Sequence, residues 1–152
     1  MPRRTHLTVA TIAAVGSTSA CGFGAVDVEP HSLTPGSEEV CAQFAADLPD
    51  VVSDAVRRDV QDEPDGIAAW GEPPVVLRCG VGLPPEYEPD ALLTEFNGVA
   101  WLPIDGAGGA FFATVDRDPI VEVAVPDAYE PAVVLGDITE PILANIPERP
   151  LE

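Results

Sequence analysis

The period of the apolar positions changes near Pro73, and that change divides the fold. Val40, Cys41, Phe44, Ala45 and Leu48 recur at the spacing of one buried helix face. Ser37 stands where an N-cap belongs, and Glu38 and Glu39 follow in the first turn, where carboxylates favour the helix dipole. Beyond Pro49, the positions Val51, Val52, Ala55, Val56 and Val60 continue an imperfect apolar stripe, which predicts a second, short helix. From Pro73 onward the period is two. In "PVVLRCGV", Val75, Leu77, Cys79 and Val81 share one strand face, and Val76, Arg78 and Gly80 share the other. "GVAWLPI" and "GAFFATV" predict two further strands, joined through Asp105-Gly106-Ala107-Gly108, which has hairpin chemistry. "PIVEVAV" predicts a fourth, with Val121, Val123 and Val125 on one face and Glu122 on the other.

Toward the C-terminus, Gly136 and Pro141 interrupt the helical pattern. Ala132 to Leu135 reads as a short extended piece. Asp137 with Glu140 resembles a capping box, so a short helix is expected from Glu140 to Ile146. The fold class that follows is α+β: an antiparallel meander of about four strands packed against an N-terminal helix or helices, with a short C-terminal helix.

The first twenty residues follow a different pattern. Arg3 and Arg4 precede an uncharged apolar run, Leu7 to Val15, which is roughly half the ~20 residues that a membrane-spanning helix needs. Thr18-Ser19-Ala20-Cys21 then resembles the lipobox of bacterial lipoproteins, with threonine where leucine is usual. In such signals the cysteine thiol is acylated and the chain is cut just before it, so Cys21 is the expected lipidation site and mature N-terminus. Plain secretion and a retained signal anchor are the alternatives. Arg3-Arg4 also weakly resembles a twin-arginine signal. The expected organisation is a lipoprotein signal peptide over 1–20, a flexible tether over 21–36 and a single α+β domain over 37–152. The chain is then anchored by lipid to the outer face of the cell membrane.

Charge narrows the partners. Removing Arg3 and Arg4 from a net charge of −19 leaves about −21 on the mature chain. A nucleic-acid partner is disfavoured, because a binder must neutralise phosphates with a basic patch. Adsorption to anionic headgroups is disfavoured for the same reason, which leaves the N-terminal lipid as the membrane attachment. Acidic clusters such as Asp62-Glu63-Asp65 and Glu86-Glu88-Asp90 follow no calcium-loop pattern, so no metal is expected.

With Cys21 lipidated, Cys41 and Cys79 remain, and an oxidising compartment favours pairing them. A helix face bearing Cys41, laid on the strand face bearing Cys79, brings the thiols together. Two buried free thiols are the alternative.

"AAWGEPPVVLRCGV" (Ala68 to Val81), "NGVAW", "TVDRDPIVEVAVP" and the preceding "CAQFAADLP" resemble, in matching order, an actinobacterial envelope family catalogued as domain of unknown function 3515. The segment around Trp70, Arg78 and Cys79 is the most specific part of the likeness. The resemblance implies a secreted, often lipidated or membrane-tethered protein. It brings no catalytic residues to carry over.

Elimination goes further. His6 and His31 are the only histidines, one in the signal and one in the tether, so the expected domain holds no imidazole for a base or metal ligand. There is no lysine for a Schiff base or a phosphate loop. No cofactor is expected. A carboxylate pair of the kind used in glycoside hydrolysis survives as the enzymatic alternative, acting on wall polysaccharide. The favoured reading is a non-catalytic lipoprotein module that binds an envelope protein or cell-wall component. Trp70 and Trp101 are candidate sugar platforms, read more readily as core. Arg78 and Arg117 are candidate ligand-binding forks, with an ion pair as the plainer role and Glu122 as the partner for Arg78.

Overall fold

The computed structural model describes residues 24–62 and 64–150, so Cys21 and the segment expected to be an export signal lie outside the described residues. Helix α1 spans Glu38–Asp47 and buries Cys41 and Phe44. The Ser37 hydroxyl donates to the Thr34 carbonyl at 2.7 Å and makes no capping bond to the helix. Leu48, extended and followed by Pro49, ends the helix, as the residue before a proline tends to.

The second helix expected after Pro49 is instead a hairpin. Strands β1 (Val51–Val52) and β2 (Ala55–Arg58) pair Val51 with Val56 and Val52 with Ala55. Ser53 and Asp54 turn between them with φ of 50° and 62°, the positive values that a two-residue hairpin loop needs. Apolar residues at i, i+1, i+4 and i+5 fit a helix face and this hairpin equally well. The turn backbone and β-branched Val51, Val52 and Val56 decide for the hairpin.

Strands β3 (Ile67–Trp70), β4 (Val75–Val81), β5 (Thr94–Phe96), β6 (Val99–Gly106), β7 (Gly109–Thr114) and β8 (Ile120–Pro126) complete one antiparallel sheet of eight strands, ordered β1-β2-β3-β4-β8-β7-β6-β5. The four strands read from the sequence correspond to β4, β6, β7 and β8, so the sheet is larger than expected. β3 has no alternation to read, because all four of its residues are buried. β1 and β5 are too short to show a period. The Gly106↔Gly109 pair closes the expected hairpin through Ala107 and Gly108.

Helix α2 runs from Pro131 to Asn145 without a break. This corrects the short extended piece and the late helix expected there. Val134, Leu135, Ile138 and Ile142 form one fully buried stripe. At ~2 kcal/mol per buried aliphatic side chain, that stripe outweighs the ~1 kcal/mol of Gly136 and the ~3 kcal/mol of Pro141 inside the helix. Asp137 caps nothing here: its Oδ2 accepts the Ser53 backbone N–H at 2.7 Å, tying α2 to the β1–β2 turn.

Both helices cover one face of the sheet. Val75, Leu77 and Cys79 of β4, Val121, Val123 and Val125 of β8, and Val99 and Trp101 of β6 meet Phe44, Leu135, Ile138 and Ile142 in the core. The stretch read as a tether also packs on this domain from Gly24 onward. Val26, 7% exposed, forms a parallel bridge with Val60, and the Thr34 N–H donates to the Gly80 carbonyl at 2.8 Å. His31 Nε2 lies 2.7 Å from the Cys79 carbonyl oxygen, and since a carbonyl only accepts, that nitrogen carries the proton. The packed domain therefore starts before Ser37 and does contain an imidazole.

Candidate binding recess beneath the crossing connection

The sheet order forces one long crossover. β4 lies beside β8, but the next strand, β5, is at the far edge, so Gly82 to Leu93 must traverse the sheet. Alternation places Arg78, Glu122, Ala113 and Leu102 on the face opposite the helices, in register across β4, β8, β7 and β6. Leu102 is nonetheless only 4% exposed and Ala113 fully buried, and Pro84 of the crossing segment is buried too. The connection thus lies over this face.

Beside it is a recess of about 460 Å³. Leu83, Pro84 and Pro85 border one side and Ile104 and Phe111 the other, with Arg78 and Glu122 also lining it. Arg78 Nε stands 3.5 Å from Glu122 Oε1, and the two side chains are 27% and 21% exposed. The pair sits directly opposite in the ladder, so each chain is positioned by its own strand rather than by the contact.

The other candidate residues are elsewhere. Trp70 is fully buried, donates from Nε1 to the Pro49 carbonyl at 2.9 Å, and carries the Arg57 guanidinium 5.5 Å from its ring centroid. Trp101 is fully buried in the same core. Neither ring offers a face on which a sugar could stack. Arg117 is 3% exposed: its Nη2 donates to the Gly98 carbonyl at 2.7 Å and to Glu148 at 3.3 Å, and Nε lies 3.6 Å from Asp116. It fastens the C-terminal segment to the β5–β6 turn. Of the four candidates, Arg78 alone borders the recess. Ile104 and Phe111 were not singled out from the sequence, although both are out of phase with the core rows of their strands, which is the signal that could have found them.

Cys41 and Cys79 are joined by a disulfide with their α-carbons 5.6 Å apart. Gly80 follows at φ +76°, and a β-carbon there would fall 2.7 Å from Ser37 Oγ and 3.3 Å from Cys41 Sγ. Glycine is what lets α1 approach the strand this closely. Among the described residues no cluster of histidine, cysteine and carboxylate side chains could hold a metal ion, and no helix is long and apolar enough to cross a membrane.

A model of the family described as "Protein of unknown function (DUF3515)" matches residues 4–151. The chain belongs to this family. Comparisons with curated proteins and with solved structures returned no match. Within this DUF3515 chain, the segment Ala68 to Val81 that carries the sequence likeness forms β3, the following turn and β4, which together hold buried Trp70, Arg78 of the recess and Cys79 of the disulfide.

Proposed function

We propose that this DUF3515 protein is an exported envelope module, anchored by a lipid on Cys21, that binds a partner rather than transforming a substrate. The observation that carries export is the Cys41–Cys79 disulfide, a bond that persists in oxidising compartments and is rare in the cytosol. The short apolar run ending at Cys21 supplies the matching address. Packing of residues 24–36 onto the sheet leaves a short link between that lipid and the domain, which holds the domain close to the membrane surface.

Binding is favoured over hydrolysis by what occupies the recess. Of the three carboxylates that line it, Glu122 is paired with Arg78, and Glu86 and Asp105 belong to exposed residues, whereas a glycosidase holds two carboxyl groups facing the scissile bond. The apolar walls suit contact with a partner. Photo-crosslinking in intact envelopes, with the reactive residue placed at exposed Leu83, is the test. A discrete crosslinked species is expected. Absence of any crosslink, together with release of reducing sugar from purified wall by the wild-type protein, defeats the reading.

A further inference from the structure

The recess, lined by Ile104 and Phe111, adjoins a longer apolar strip and has an acidic margin, and together they specify a partner. Val76, Ala124, Phe111 and Ile104 stand in register across β4, β8, β7 and β6 on the face away from the helices, and all four remain half-buried rather than covered. Leu83, on the crossing connection, is 46% exposed beside them. An apolar row of this kind, walled by a proline-stiffened segment, is the form of a docking groove.

Charge decides what fits it. Between Arg78 and Arg117 the chain carries Glu86, Glu88, Asp90, Glu95, Asp105 and Asp116 and no basic residue at all. Arg78 itself faces Glu122. Glu86, Glu88 and Asp90 are exposed on the crossing connection, where their field reaches an approaching chain within a Debye length of about 8 Å. A second mature copy of this chain would bring a net charge of about −21 against the same sign, and an anionic lipid surface would be repelled likewise.

We propose that the recess docks a cationic polypeptide segment of another envelope protein, with its apolar side chains on Phe111, Ile104 and Leu83 and its lysine or arginine side chains against Glu86 and Glu88. The proposal rests on the reading of the protein as a binding module and names the partner class for that site.

The test uses the exported domain with a short peptide of lysine, leucine and glycine, and a counterpart in which glutamate replaces lysine. Binding is followed by amide chemical shifts. The lysine peptide should move resonances of Gly82 to Glu86, Ile104 and Phe111, and the glutamate peptide should not. Glu86→Gln/Glu88→Gln should weaken the lysine peptide about fivefold, the loss expected for two exposed ion pairs, and Leu83→Ser should weaken it independently. Glu38→Gln/Glu39→Gln removes the same charge from α1 and should leave affinity unchanged. Equal weakening by that control, equal binding of the glutamate peptide, or shifts lying outside the recess overturns the proposal. Envelope crosslinking with the Glu86→Gln/Glu88→Gln variant separates the two readings. A partner captured by wild type and variant alike, and not displaced by the lysine peptide, overturns the recess assignment while the binding-module reading stands.

Discussion

Cys41 of α1 and Cys79 of β4 are both fully buried and covalently joined, 38 positions apart in sequence. The bond links the start of the core helix to the centre of the sheet. It also lies beneath the N-terminal strap, since His31 reaches the Cys79 carbonyl and Thr34 the Gly80 carbonyl.

Loss of this crosslink should be costly. In the chain-entropy model a loop of this length contributes roughly 4 kcal/mol, and a serine in place of either cysteine adds a buried hydroxyl in apolar surroundings. Cys41→Ser or Cys79→Ser should therefore lower unfolding stability by about 2–5 kcal/mol in urea titrations. Thiol labelling of denatured, unreduced protein should find neither cysteine free. Full labelling without reductant would remove the bond, and with it the main support for an oxidising compartment.

The Arg78–Glu122 pair should behave quite differently. Both side chains are partly exposed, so their coupling in a double-mutant cycle should stay within about 1 kcal/mol. Arg78→Glu should cost more than Arg78→Gln, because it sets like charges directly opposite in the ladder, and adding Glu122→Arg should restore what was lost. A coupling above about 2 kcal/mol would mean that the pair holds the sheet together rather than lining a site.

The legibility of this chain followed the length and exposure of its elements. β4 and β8 each have one covered and one half-open face, so Val75, Leu77 and Cys79 and Val121, Val123 and Val125 alternate visibly with their neighbours. The same alternation located the disulfide, because it put Cys79 in the row facing α1. β3 was silent for the opposite reason: with Ile67 to Trp70 buried throughout, there is nothing polar to mark a period. Val51 to Val56 misled because a tight hairpin and a helix place apolar residues at the same offsets. In α2, local propensity at Gly136 and Pro141 argued against a helix that tertiary burial of Leu135, Ile138 and Ile142 imposes. The recess was half legible. Arg78 and Glu122 could be paired by phase, but the connection beside them carries no period, so Leu83, Pro84 and Pro85 could not be placed.

Acylation of Cys21 is checked independently of the fold. Mass spectrometry of the membrane fraction should find a mature chain beginning at a diacylated Cys21, and Cys21→Ser should move the protein out of that fraction. Wild-type protein recovered only from the medium, starting at another residue, would replace lipid anchoring with plain secretion.

Gly71, in the turn between β3 and β4, is the sharpest test of how the end of the sheet packs. Its φ is +73°, and a β-carbon built there would fall 2.1 Å from the Tyr129 hydroxyl and 2.8 Å from the Ala55 β-carbon. Gly71→Ala therefore carries two separate penalties: roughly 1–2 kcal/mol for a left-handed backbone, and the displacement of Tyr129 just before α2. Removing the hydroxyl with Tyr129→Phe should relieve part of the second penalty and none of the first. The double variant should accordingly unfold at a urea concentration between those of wild type and Gly71→Ala. If Gly71→Ala is as stable as wild type, Tyr129 does not press on this turn. If the double variant is no better than the single one, the backbone and the Ala55 contact account for the whole loss.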